Sequence, residues 1–209
     1  KKINGEVINA DSMQIFKELK ILTARPQQKD LKNIKHHLYG FKSVKNNYST
    51  GNWLKDAKLK IDNIKKKNKI PILVGGTGLY FKALIDGIVK IPDIPLAIRN
   101  RIRKKQLKIG QIKFYSKLIK LDPLCKKKIN KNDTQRSIRA YEVKKFTNKS
   151  LFDWYNETYS DFTKDSFIKL HIEYPRVKLL ERISLRTNEM LRDGAIKEAK
   201  RFYKLRVKK

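Results

Sequence analysis

The chain has 209 residues, enough for one domain with a modest insertion, and its 40% hydrophobic and 10% aromatic content excludes a wholly disordered polymer. Its longest uncharged apolar run, Ile70 to Tyr80, holds Pro71 and three glycines, so no membrane span is expected, and the single Cys125 excludes a disulfide framework or a cysteine zinc site and points to a reducing compartment, the cytoplasm. Fifty-one basic residues against 20 acidic ones leave a net charge of +31, which points to a polyanionic partner such as nucleic acid.

Glu6-Val7-Ile8-Asn9-Ala10 is a short β-prone run that ends at Asp11-Ser12, a turn or helix-cap pair. His37 to Phe41 suggests another short strand. Trp53, Ala57, Ile61 and Ile64 fall at helical spacing in a Lys-rich stretch, which predicts an amphipathic helix ending near Lys67-Asn68. Ile70 to Val74 reads as a buried strand running into Gly75-Gly76-Thr77-Gly78 and a helix over Leu79 to Ile85. That alternation belongs to a parallel α/β sheet, whose ligands gather at the C-terminal ends of the strands, where Asp11 and Thr77 fall. From Leu96 to Phe146 the pattern is helical throughout. Phe167 to Ile172 predicts a returning strand, and Arg176 to Leu191 and Ala195 to Leu205 predict helices parted by Asp193-Gly194.

The charge is uneven. Residues 93–149 carry 18 Lys or Arg and 4 Asp or Glu, a net +14 over 57 positions, about twice the density of the rest. Lys-rich composition alone would spread evenly; a local excess reads as a surface for phosphates. The organisation expected is an α/β core, 1–94 and 167–209, interrupted by a basic all-helical insertion, 95–166.

Several stretches, in shared order, resemble the tRNA dimethylallyltransferase family. They are Glu6 to Gln14; Thr23-Ala24-Arg25-Pro26, close to a Thr-Ala-Lys-Pro turn with Leu22 where Gly is usual; His36-His37-Leu38; Ile70 to Leu84; and Asn132-Asp133-Thr134-Gln135-Arg136-Ser137-Ile138-Arg139-Ala140-Tyr141-Glu142-Val143. The resemblance implies a P-loop NTPase-like parallel sheet and transfer of a dimethylallyl group from dimethylallyl diphosphate to N6 of the adenine immediately 3′ of the anticodon. It also implies a grip on the tRNA anticodon arm, Mg²⁺ at the diphosphate, and a monomer. The family's opening phosphate loop, ending Gly-Lys-Ser/Thr, and its C-terminal helices have no match here, so an incomplete chain with little turnover of its own is expected, and the metal's ligand is not sought in it. Two rivals stand beside this reading: an adenylate isopentenyltransferase acting on a free nucleotide, and a non-catalytic RNA binder.

The resemblance assigns Asp11 as the group that orients the adenine amine and takes its proton; read from residue type alone, Asp11-Ser12 is equally a helix N-cap. Thr77 would contact the diphosphate or the target nucleotide, although a Gly-Gly-x-Gly run is also an ordinary strand–helix turn. Arg186 would steady the departing diphosphate, or lie on a solvated helix face with Arg182 and Arg192. Asp11, Ser12, Met13, Gln14, Thr77, Arg99, Gln135, Arg136, Ser137, Ile138 and Arg139 match the family's tRNA-contacting positions; Arg136 and Arg139, three apart, share a helix face. His36 and His37, with only His171 elsewhere, make no metal pattern. Trp53 and Trp154 are expected as core or interdomain anchors.

Overall fold

The computed structural model describes residues 3–31 and 34–207, which include every candidate site residue. The chain divides into two units, Lys1–Ile85 with Phe162–Lys209, and Asp86–Asp161. Both boundaries fall earlier than the 95 and 167 read from sequence. Ile94 packs into the helical unit's core, and Ile88 bridges Tyr159 within that unit.

In the first unit, β1 (Gly5–Asn9), α1 (Gln28–Leu31), β2 (His36–His37), α2 (Thr50–Lys65), β3 (Ile70–Val74) and α3 (Gly78–Ile85) follow in order. The strands form a parallel sheet, β2-β1-β3, with Val7 opposite His36 and Ile72. The strand expected at His37–Phe41 is shorter and earlier. β3 is an edge strand, not the buried one expected: Ile70 and Val74 are about half exposed. Pro71 fits there, because an edge can tolerate a missing N–H. Ser49 opens α2 through a capping box with Asn52, and the helix lays Trp53, Leu54, Ala57, Ile61 and Ile64 inward. Trp53 stacks on Tyr80 at 4.2 Å and donates to the Asn9 carbonyl at 2.9 Å, so this tryptophan is a core anchor of its own unit.

The second unit holds α4 (Leu96–Ile109), α5 (Gln111–Leu121), α6 (Thr134–Thr147) and α7 (Leu151–Tyr155). Gly110, at φ 76°, turns the chain between α4 and α5. Phe114, Leu118, Cys125, Ala140 and Val143 form the fully buried centre, and Trp154 packs on its margin. Burial, with Asp122 beside it, pushes the Cys125 thiol up to about 12, so it is packing rather than a nucleophile.

Phe167 to Ile172 is not a strand. Ile168, Leu170 and Ile172 are largely exposed, and no ladder partner exists for the segment among the described residues; alternation cannot make a strand without one. The chain closes with α8 (Arg176–Arg192) and α9 (Ala195–Lys204), parted by Gly194 in the left-handed region. The Glu198 carboxylate accepts the backbone N–H groups of Lys20, Ile21 and Leu22 at 2.9–3.0 Å, which ties α9 to the loop after β1. Among the described residues, no helix is long and apolar enough to cross a membrane.

Candidate functional site

The C-terminal edge of the sheet brings Asp11, Ser12 and Thr77 together. Asn9, fully buried at the end of β1, fixes the turn: its Oδ1 accepts the Asp11 N–H at 2.9 Å, and its Nδ2 donates to the Asp11 and Leu38 carbonyls at 3.0 Å each. The loop after β3 crosses directly beneath. Any Cβ on Gly75 would sit 2.2 Å from the Ala10 carbonyl carbon, so only glycine allows this approach. The Thr77 N–H then bonds the Ala10 carbonyl at 3.2 Å, and Thr77 Oγ1 accepts the Ser12 N–H at 2.9 Å. One amide of the glycine-rich loop is therefore spent on the neighbouring turn rather than left for an anion.

Asp11 makes the cap read from its residue type with one carboxylate oxygen. Its Oδ1 accepts the Met13 N–H at 2.8 Å and the Gln14 N–H at 3.3 Å, which is a cap-like turn. Its Oδ2 accepts no hydrogen bond among the described residues and stays open to an incoming group. Burial raises the Tyr39 and Tyr80 phenols above their ordinary range, and the Asp11 charge adds to the effect. Both stay protonated, as donors.

Arg186 lies on exposed α8 and lines a cavity of about 420 Å³ with Lys20, Arg25, Glu189 and Asp193. None of Asp11, Ser12 or Thr77 lines it. Gln14 links the two places, since its Nε2 donates to the carbonyls of Thr23 and Ala24 at 3.0 and 3.2 Å, on the loop that forms the cavity's other wall. His37 pairs with Glu6 at 2.7 Å, and Lys69 completes the group at 2.9 Å. These contacts hold the buried Glu6 carboxyl down at about 2, so the His-His-Leu run serves the sheet.

In the helical unit, Asp133 caps α6 by accepting the Arg136 N–H at 3.0 Å. Gln135, Arg136 and Arg139 face solvent. Ser137 and Ile138 do not: Ser137 is fully buried beside Gln111 and Ile138 joins the core, so neither side chain is offered to a partner. The helical period decides this, because positions one and two after Arg136 turn away from the face it shares with Arg139. Arg99, on α4, lies 3.5 Å from the buried Glu142.

The family model described as IPP transferase matches residues 14–209. The chain belongs to that family. It is 61% identical, over its whole length, to 67% of a tRNA dimethylallyltransferase from Pelagibacter ubique, and 44% identical over 95% of its length to 55% of one from Rickettsia massiliae. Among solved structures, 98% of the chain superposes on half of a eukaryotic dimethylallyltransferase acting on tRNA, with a TM-score of 0.82 at 28% identity. It also matches 64% of the full-length tRNA isopentenylpyrophosphate transferase of Bacillus halodurans, with a TM-score of 0.63 at 30% identity. The chain thus spans between half and two thirds of the proteins it matches, and its α/β core has their P-loop-like fold.

Asn9, Arg25 and Lys20 were not among the site residues read from the sequence. Asn9 was visible as a polar residue inside an apolar β run, a position that usually signals a committed hydrogen-bond partner. Arg25 and Lys20 join Arg186 only because α8 meets their loop, and nothing in the linear pattern announces that.

Proposed function

We propose that the protein to which this chain belongs transfers a dimethylallyl group from dimethylallyl diphosphate to N6 of the adenine immediately 3′ of the tRNA anticodon. The observation that carries the reading is Asp11, held at the sheet's C-terminal edge with one oxygen capped by two amides and the other open, in a chain of the IPP transferase family. The adenine N6 attacks C1 of the prenyl group while the C1–O bond breaks and diphosphate departs. The amine proton passes to Asp11 Oδ2, and Thr77 and the phenols of Tyr39 and Tyr80 orient the acceptor. Arg186, with Arg25 and Lys20, supplies the cations suited to the diphosphate, on a lining that also carries Glu189 and Asp193. Mg²⁺ is expected with that substrate, but the described residues bring no three His, Cys, Asp or Glu side chains together, and no step here depends on it. A free-nucleotide acceptor would leave the net +14 of residues 93–149 without a partner; the anticodon arm uses it, and tRNA places the reaction in the cytoplasm. A single chain serves one tRNA.

The test is Asp11→Asn in the full-length protein, assayed with unmodified tRNA and labelled dimethylallyl diphosphate and read as prenylated adenosine after digestion. Turnover should fall about 10²–10⁴-fold with tRNA affinity largely kept. Unaltered turnover would reduce Asp11 to a cap.

A further inference from the structure

A buried ion cluster in the helical unit is left over by this account. Glu142 is 1% exposed, yet three guanidinium groups converge on it: Arg99 Nε at 3.5 Å and Arg139 Nη1 at 3.9 Å from Oε2, and Arg103 Nε at 3.6 Å from Oε1. Arg99 and Arg103 are one turn apart on α4; Arg139 and Glu142 are one turn apart on α6. One carboxylate against three arginines leaves the cluster at +2. Nor are its hydrogen-bonding groups saturated, since Arg99 Nε and Glu142 Oε1 are buried without a hydrogen-bond partner.

That arrangement is poor as a device for stability. A carboxylate removed from water is compensated only by close, well-aligned donors, and these separations are all longer than a charged hydrogen bond. It is better suited to presentation. Each guanidinium carries five N–H donors in a planar fork and directs only an edge at Glu142. The arginine side chains are 37–48% exposed, so the other edges reach the surface of the unit. Three flexible side chains drawn to one buried anion lose their freedom before any partner arrives, and the excess charge waits for a second anion. Bidentate donors with a net +2 match phosphate oxygens.

We propose that Glu142 is a positioning residue that holds Arg99, Arg103 and Arg139 as one preorganised clamp for RNA backbone phosphates. The inference rests on the tRNA reading above and adds two residues to it, Arg103 and Glu142. Arg136 lies outside the clamp: it pairs with Asp133 of its own helix cap at 3.5 Å and is largely exposed.

The deciding variant is Glu142→Gln, because charge counting and positioning predict opposite signs. Loss of the carboxylate raises the net charge by one, so a merely basic surface would bind RNA more tightly. A clamp without its organiser binds more weakly. With this chain and a labelled anticodon stem-loop, anisotropy over a salt series should show about tenfold weaker binding, with the log–log salt slope reduced by roughly 0.7–0.9 for each phosphate that is no longer neutralised. Arg103→Lys keeps the charge and loses the fork, so about fivefold weakening is expected. Unchanged or tighter binding by Glu142→Gln, with helicity retained on circular dichroism, overturns the clamp. Should that variant unfold, Arg103→Lys decides alone, and unchanged affinity overturns it. If the unsubstituted chain fails to bind the stem-loop, the tRNA reading itself falls and takes the clamp with it; normal binding with indifferent variants removes the clamp only.

Discussion

Helix α6 buries six of its fourteen residues, whereas α8, three residues longer and with a clearer apolar stripe, buries none. Both carry cations along their length. What differs is what surrounds them: α6 packs against α4 and α5, which close a core around Ala140 and Val143, while Leu179, Leu180 and Ile183 of α8 remain between about two fifths and three fifths exposed. An amphipathic pattern states which face prefers burial. It does not supply the surface that does the burying. The α8–α9 pair is fastened instead by a polar device, the Glu198 carboxylate on three backbone amides.

This contrast can be broken most easily at the packed end. Phe114→Ala removes a fully buried ring from the helical unit and should cost about 4 kcal/mol of that unit's stability. Urea unfolding followed through Trp154, in a Trp53→Phe background, reads this unit alone; a cost near zero would mean that the packing does not hold it together. Acid should come next in size, and in the other unit. Glu6 is held at about 2, below its ordinary 4.5, so its contribution is fully present above pH 4.5 and is lost as pH falls towards 2. On the order of 2–3 kcal/mol is expected to disappear in that window. Trp53 fluorescence during thermal melts checks it, and Glu6→Gln should flatten the dependence.

Glu198→Gln sharpens the comparison from the polar side. It keeps the shape and removes the charge from a three-amide cradle, for an expected cost of about 1–2 kcal/mol and earlier hydrogen exchange at Lys20 to Leu22. The smallest effect belongs to α8 itself. Leu180→Ala should change stability by less than about 0.5 kcal/mol, because a side chain already in water loses little on truncation. A drop of core size there would mean that α8 is buried in solution.

Much of the site was legible in the residues. Asp11 and Thr77 fall at strand ends, and strand ends of a parallel sheet share one edge, so their meeting follows from topology once β1 and β3 are recognised as strands. Gly75 was visible as part of a turn, but its reason, the Ala10 carbonyl oxygen 2.3 Å from any added Cβ, belongs to two stretches of backbone far apart in sequence. The basic surface was legible as a charge density and blurred as a residue list. Ser137 and Ile138 shared a motif with Arg136 and Arg139, yet a helix sends adjacent positions to different faces.

By itself, then, the order of residues determined what depends on neighbours along the chain: helix periods, the Ser49 and Asp133 caps, the strand–turn–helix at Ile70 to Ile85, and the block of positive charge. Tertiary structure decided what depends on a partner distant in sequence. It made β3 an edge and denied Phe167 to Ile172 a ladder, because a strand exists only where another offers its backbone. It set Glu142 among three arginines from two helices, since helix packing alone decides which side chains from separate helices share one buried anion.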